Sequence, residues 1–180
     1  ILITGGSLGA EVMATKVAKA LSEFSKELLS KISIIQQVRT ENMNYVKNLY
    51  KNASIEHKLE VYIEDYSKSL NWCHLIICRS GAGTIAENLI SGRPSIMLPL
   101  AISSDNHQMK NALYIKKIGA GWIISNKELN NNKILQKKLK NFIFNEAGLY
   151  EASKLAKENA LINSTSVLAN IGKNFIKEIN

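Results

Sequence analysis

Short apolar runs bounded by glycine, proline or polar clusters recur along the chain at Ile1–Thr4, Ile32–Val38, Leu59–Ile63, Leu75–Cys78, Ser95–Pro99 and Trp122–Ile124. Runs of this kind suit strands buried on both faces. Between them apolar positions return every three or four residues, which predicts helices near 8–29, 41–52, 66–73, 84–91 and 106–118. After the last run the pattern stays helical over 128–145, 149–160 and 164–178. Strand alternating with helix requires right-handed crossovers and a parallel sheet. The predicted fold class is therefore α/β, a doubly wound Rossmann-like parallel sheet of about six strands with its ligand at the carboxyl ends of the strands.

Two of the predicted strands run into glycine-rich turns that open helices. Ile1-Leu2-Ile3-Thr4 is followed by Gly5-Gly6-Ser7-Leu8-Gly9-Ala10, and Leu75-Ile76-Ile77-Cys78 by Arg79-Ser80-Gly81-Ala82-Gly83-Thr84-Ile85-Ala86-Glu87. Such a turn lets backbone approach a ligand, and the unpaired N–H groups of the helix start, expected at Thr84 to Ala86, favour negative charge. Glu87, about one turn in, is placed to accept hydrogen bonds from both hydroxyls of a ribose. The same segment also reads as an ordinary helix start, with Thr84-x-x-Glu87 as a capping box and Ser80 as a cap. Two turns of one design in one sheet, able to grip a diphosphate from two sides, favour the binding reading.

A chain of 180 residues with 46% hydrophobic content suits one globular domain. No apolar run reaches the ~18 residues of a membrane span. No basic-then-apolar leader opens the chain, whose first residue already belongs to a strand, so a further segment is expected upstream. Cys73 and Cys78 suit a reducing compartment and make no disulfide framework. The net charge of +8 rests almost wholly on scattered lysines, with only Arg39, Arg79 and Arg93 beside them and no nucleic-acid motif, so no nucleic-acid partner is expected. The cluster Lys133, Lys137, Lys138 and Lys140, interleaved with Ile134, Leu135, Leu139, Phe142 and Ile143, reads as a solvated helix face over a core stripe.

Several chemistries are disfavoured. The first turn lacks the G-x-G-x-x-G spacing, and Gln36-Gln37-Val38-Arg39 ends the second predicted strand without the carboxylate that a dinucleotide site needs. No Walker lysine follows either turn. Asp65 and Asp105 are the only aspartates, so an Asp-x-Asp metal motif is impossible and no metal or cofactor is expected. Cys73, His74 and Cys78 lack a fourth ligand nearby, His57 reads as a surface residue, and Trp72 and Trp122 read as packing.

Gly5-Gly6-Ser7-x-Gly9-Ala10, Arg79-Ser80-Gly81-Ala82-x-Thr84-x-x-Glu87, Gly92-x-Pro94 with Pro99, and Asp105-x-His107-Gln108-x-x-Asn111-Ala112 together resemble, in order and spacing, the carboxy-terminal half of the MurG family, glycosyltransferase family 28. The resemblance runs from residue 1 essentially to the end. It implies one half of a GT-B enzyme, in which two Rossmann domains face a cleft. Residues 1–180 would be the domain that binds UDP-N-acetylglucosamine, closed by helices at about 149–180, and the amino-terminal acceptor domain would be absent from this chain. The activity implied is inverting transfer of N-acetylglucosamine (GlcNAc) to a lipid-linked muramoyl-pentapeptide, lipid I to lipid II, in peptidoglycan synthesis. The location implied is cytoplasmic, peripheral on the inner face of the membrane.

The resemblance also assigns roles. Ser7 would bond the diphosphate, and Ala82, Gly83, Thr84, Ile85 and Ala86 would offer amides, with the Thr84 hydroxyl, to the same group. Gly5, Gly6, Gly9 and Gly81 would shape the two phosphate turns. Glu87 would hold the ribose diol, the main chain of Ile63 would read the uracil edge, and His107 with Gln108 would meet the GlcNAc hydroxyls. UDP-GlcNAc is a substrate here, not a cofactor. No residue of this chain is assigned as the catalytic base, which is expected in the amino-terminal domain. His107 stands where some members have Gln, and Gln36-Gln37-Val38-Arg39 replaces a His-Gln-Thr-Gly pattern. Two other readings fit the same residues: a free-standing donor subunit of a two-subunit GlcNAc transferase acting on another lipid-linked glycan, and a nucleotide-sugar-binding module without activity.

Overall fold

The computed structural model describes residues 1–5, 11–100 and 106–161. Strand β1 (Leu2–Thr4) leads to a π-helical stretch (Met13–Val17) that runs straight into α1 (Ala18–Ser22), followed by α2 (Lys26–Leu29), β2 (Ser33–Gln37), α3 (Thr40–Asn52) and β3 (Glu56–Glu60). The second half continues through α4 (Tyr66–Trp72), β4 (Ile76–Cys78), α5 (Ala82–Ile90), β5 (Ser95–Met97), α6 (His107–Lys117), β6 (Gly121–Ile123), α7 (Asn126–Leu129), α8 (Asn132–Ile143) and α9 (Glu146–Glu158). The strands pair in the order β3-β2-β1-β4-β5-β6, every pair parallel. This is the doubly wound α/β sheet that the alternation predicts. Strand order reverses between β1 and β4, whose last residues Thr4 and Cys78 are register partners. A crevice opens beyond the carboxyl ends of strands at such a switch point.

Alternate side chains along each strand face opposite sides, so the sheet carries two cores. Ile3, Ile34, Ile77 and Ile96 join Val17, Tyr50 and Leu139 on one side. Leu2, Ile76, Cys78 and Met97 join Leu70, Ile85, Leu89, Ile115 and Ala156 on the other. The glycine that closes α5 has a stereochemical cause. Gly92 adopts φ 64°, its amide bonds Leu89 O and the next amide, of Arg93, bonds Asn88 O. That pair is a Schellman motif, and it lets Pro94 start the next strand without continuing the helix.

Three predicted elements differ from those observed. The third strand lies at Glu56–Glu60 rather than Leu59–Ile63. It is an edge strand with a largely polar sequence, while Val61 and Tyr62 are 54% and 73% exposed; an edge strand bonded on one side needs no continuous apolar run. The helix expected over 8–29 breaks at Glu23–Ser25, where Phe24 turns in to meet Phe144 at 6.2 Å between ring centroids. The helix expected over 128–145 is two helices, because the Asn131 side chain caps α8 through the Ile134 amide at 3.2 Å. In both cases the apolar spacing continues across the break. The helix predicted at 164–178 lies outside the described residues.

Candidate functional site

Gly5 follows β1 directly and is buried, and the Arg79-Ser80-Gly81 turn follows β4. Since Thr4 and Cys78 are register partners, the two glycine turns start side by side at the switch point. Helix α5 begins at Ala82, with Gly81 extended (φ −66°, ψ 149°) as its N-cap and no side chain capping it. The Ile85 amide is already bonded to Gly81 O at 3.0 Å. The open amides are therefore those of Ala82, Gly83 and Thr84, two residues earlier than the Thr84-to-Ala86 set expected, and the amide of Ile85 is not among them. The Ile85 side chain is buried in the core.

The capping alternative fails on the same geometry. A capping box joins the N-cap residue to the third helical residue. Here Thr84 is itself the third helical residue, so Glu87 lies beyond the box. Ser80 does not cap either: its Oγ donates to Gln108 O at 2.8 Å. Glu87, well inside α5, is exposed, with no salt bridge or side-chain hydrogen bond among the described residues. Gly83 has an ordinary helical φ, and a Cβ built there would meet nothing within 4 Å. Neither turn stereochemistry nor packing among the described residues demands a glycine at this position.

Arg79 is a functional candidate that sequence reasoning passed over. It is 8% exposed, its Nη1 donates to Leu98 O at 2.6 Å, and its Nε is buried without a partner. Burial lowers its pKa from the ordinary arginine value. No carboxylate pairs with it among the described residues. A guanidinium desolvated beside a crevice without a counter-ion is poised for an anion. The available signal was its position as the one arginine between a buried strand and a glycine turn.

Ile63 sits in the loop between β3 and α4, three residues past the strand rather than at its end. Its side chain is 6% exposed and joins the core cluster of Leu2, Cys78 and Ile85. The loop thus returns from the sheet edge toward the switch point. Among the described residues no hydrogen bond occupies the main-chain N–H or C=O of Ile63. His107 opens α6 and is exposed; Gln108 follows and accepts from the Leu100 amide through Oε1 at 3.1 Å. Gly6, Ser7 and Gly9, together with Asp105, lie outside the described residues.

The remaining candidates are structural. Cys73 and Cys78 are buried free thiols; burial raises both pKa values, that of Cys78 to about 12, and holds them as neutral thiols. His74 is exposed while its two cysteine neighbours point into the core. His57 stacks at a tilt on Tyr50, 5.5 Å between centroids, and Trp122 stacks on Phe142 at 5.1 Å. Gln36 lies fully buried inside β2, its Oε1 accepting from the Tyr50 hydroxyl at 2.5 Å. No helix among the described residues is long and apolar enough to cross a membrane.

The profile described as the glycosyltransferase family 28 C-terminal domain matches residues 1–166. The chain belongs to glycosyltransferase family 28. Within it, the chain is 35% identical over 129 residues to the UDP-N-acetylglucosamine--N-acetylmuramyl-(pentapeptide) pyrophosphoryl-undecaprenol N-acetylglucosamine transferase of Caulobacter vibrioides, covering 72% of this chain and 36% of that protein. A protein of the same name from Phenylobacterium zucineum is 30% identical over 171 residues, covering 95% of this chain and 47% of that protein. The crystal structure of MurG from Acinetobacter baumannii superposes with a TM-score of 0.82 at 28% identity, covering 94% of this chain and 50% of that one. The chain therefore spans about half or less of the length of these family 28 relatives.

Proposed function

We propose that this chain is the donor-binding domain of an inverting glycosyltransferase. The enzyme moves N-acetylglucosamine from UDP-N-acetylglucosamine onto an undecaprenyl-diphosphate-linked muramoyl-pentapeptide, and an amino-terminal acceptor domain holds the lipid-linked substrate at the inner face of the membrane. The observation that carries the reading is the uncapped start of α5 just beyond the switch point; Arg79, buried and without a carboxylate partner among the described residues, and Glu87, exposed on the same helix, support it. The names of the family 28 relatives support the choice of sugar and acceptor.

The chemistry follows from where charge develops. A hydroxyl of the acceptor sugar attacks the anomeric carbon as the bond from that carbon to the diphosphate oxygen breaks, and the electron pair leaves with UDP. The amides of Ala82, Gly83 and Thr84, the positive end of the α5 dipole and the Arg79 guanidinium stabilise that growing negative charge. Glu87 holds the ribose diol, and the main chain of Ile63 meets the uracil edge. The proton of the attacking hydroxyl goes to a base on the acceptor side of the cleft.

Calorimetric titration with UDP tests this. Binding persists in EDTA, because amides, a dipole and an arginine hold the diphosphate. Glu87→Ala weakens UDP binding about tenfold or more, the loss of a charge-assisted hydrogen bond, and leaves Tm unchanged because Glu87 is exposed and caps nothing. Loss of binding on chelation, or a lowered Tm with affinity retained, would overturn the reading.

A further inference from the structure

The start of α6 is not held by a cap of its own. Its N-cap residue, Asn106, adopts φ 54° and makes no capping side-chain bond. Two hydrogen bonds to the second glycine turn hold it instead. The hydroxyl of Ser80, a residue with no exposed surface, donates to Gln108 O at 2.8 Å, and Asn111 Nδ2 donates back to Ser80 O at 3.0 Å. One residue of the turn thus donates to α6 and accepts from it, across 28 and 31 positions of sequence. A third bond, from the Leu100 amide to Gln108 Oε1 at 3.1 Å, ties the same helical turn to the chain leaving β5. With Oε1 accepting from that amide, the NH2 group of Gln108 is the donor that the side chain can offer a ligand.

We propose that Ser80 and Asn111 are positioning residues that register the sugar-contacting face of α6, His107 and Gln108, against the amides that hold the diphosphate. The inference rests on the donor-site reading above and adds how its two ends are kept at one spacing. Ser80 directly precedes Gly81, the N-cap of α5, so any shift of α6 relative to the open amides has to break these bonds. UDP without the N-acetylglucosamine needs only the α5 side of the joint. A nucleotide sugar needs both sides in register, and a displacement of the order of 1 Å is enough to lose an oriented contact.

The test compares UDP with UDP-N-acetylglucosamine by calorimetry on the protein and on Ser80→Ala, Asn111→Ala and the double variant. The expected result is a loss of about threefold to tenfold in affinity for the nucleotide sugar, the scale of one neutral hydrogen bond, with UDP affinity held within about twofold. The double variant loses no more than the worse single one, because both bonds span one joint. Ser80→Ala removes one oxygen, so it carries the test where Asn111→Ala folds poorly. A parallel fall for both ligands makes the bonds merely structural and overturns the proposal, as does an unchanged ratio of the two affinities. Failure of the unaltered protein to bind either ligand overturns the donor-site reading itself, a result distinct from both.

Discussion

Glu128 and Glu87 both close a Ser/Thr-x-x-Glu match, yet their carboxylates sit in opposite environments. Glu128 pairs with Lys138 at 2.5 Å and accepts from the Ser125 amide at 2.8 Å and hydroxyl at 2.9 Å, while Ser125 Oγ accepts from the Glu128 amide, a full capping box. Glu87 has none of these partners among the described residues and is exposed. The four-residue pattern is the same, so only the point where each helix starts separates a capping carboxylate from a free one. The hydrogen bond from Lys138 and those from Ser125 lower the Glu128 pKa from 4.5 to about 2. A depressed carboxylate pKa contributes stability above the unfolded value, so the contribution is complete above pH 4.5 and is lost as pH falls toward about 2. Glu128→Gln is expected to cost about 1 kcal/mol at pH 7. Urea denaturation of both proteins across this range should show the difference closing at the acid end; a gap independent of pH would refute the assignment.

Among the elements, α5 carries a glycine in its first turn that works against its own stability. Glycine in a helix is less favourable than alanine by roughly 0.5–1 kcal/mol, and at Gly83 nothing among the described residues crowds a Cβ. Gly83→Ala should therefore raise Tm slightly, or leave it unchanged, while weakening UDP binding, because in the proposed site the added methyl stands where a phosphate approaches the amides. Thermal melts and a UDP titration on one variant check both halves; tighter binding would show that the glycine has another cause. Gly121 gives the contrasting case, since its Cβ would meet Ser95 O at 2.3 Å where β5 and β6 pair. Element types were legible in the chain because burial periodicity and turn chemistry are local. Boundaries were less so: polar β3 offered no apolar run, and the breaks before α2 and α8 sit inside unbroken apolar spacing. Asn131 is the cap residue that marks the second of these breaks.

For the whole molecule, a transferase of the proposed kind needs the acceptor hydroxyl held in line behind the anomeric carbon with a base in reach, and on the proposed reading both belong to the acceptor half. Residues 1–180 alone are expected to bind UDP-N-acetylglucosamine yet give no lipid-linked product in a radiolabelled transfer assay, and adding the acceptor half in trans should restore turnover. Robust product from residues 1–180 alone would refute this division of labour. Sequence by itself determined the α/β alternation, the two glycine turns that end apolar runs, and Glu87 about one turn into the helix of the second. Each depends on stereochemistry and periodicity within a few residues. Tertiary structure alone decided that β1 and β4 are neighbours, so that the chain leaves both strands at one switch point. It also decided that α5 starts at Ala82, which frees Glu87 from any capping duty, and that Ser80 reaches Gln108 and Asn111 instead of capping α5. Those outcomes depend on strand order and on partners 28 or more positions apart, which no local window of the chain encodes.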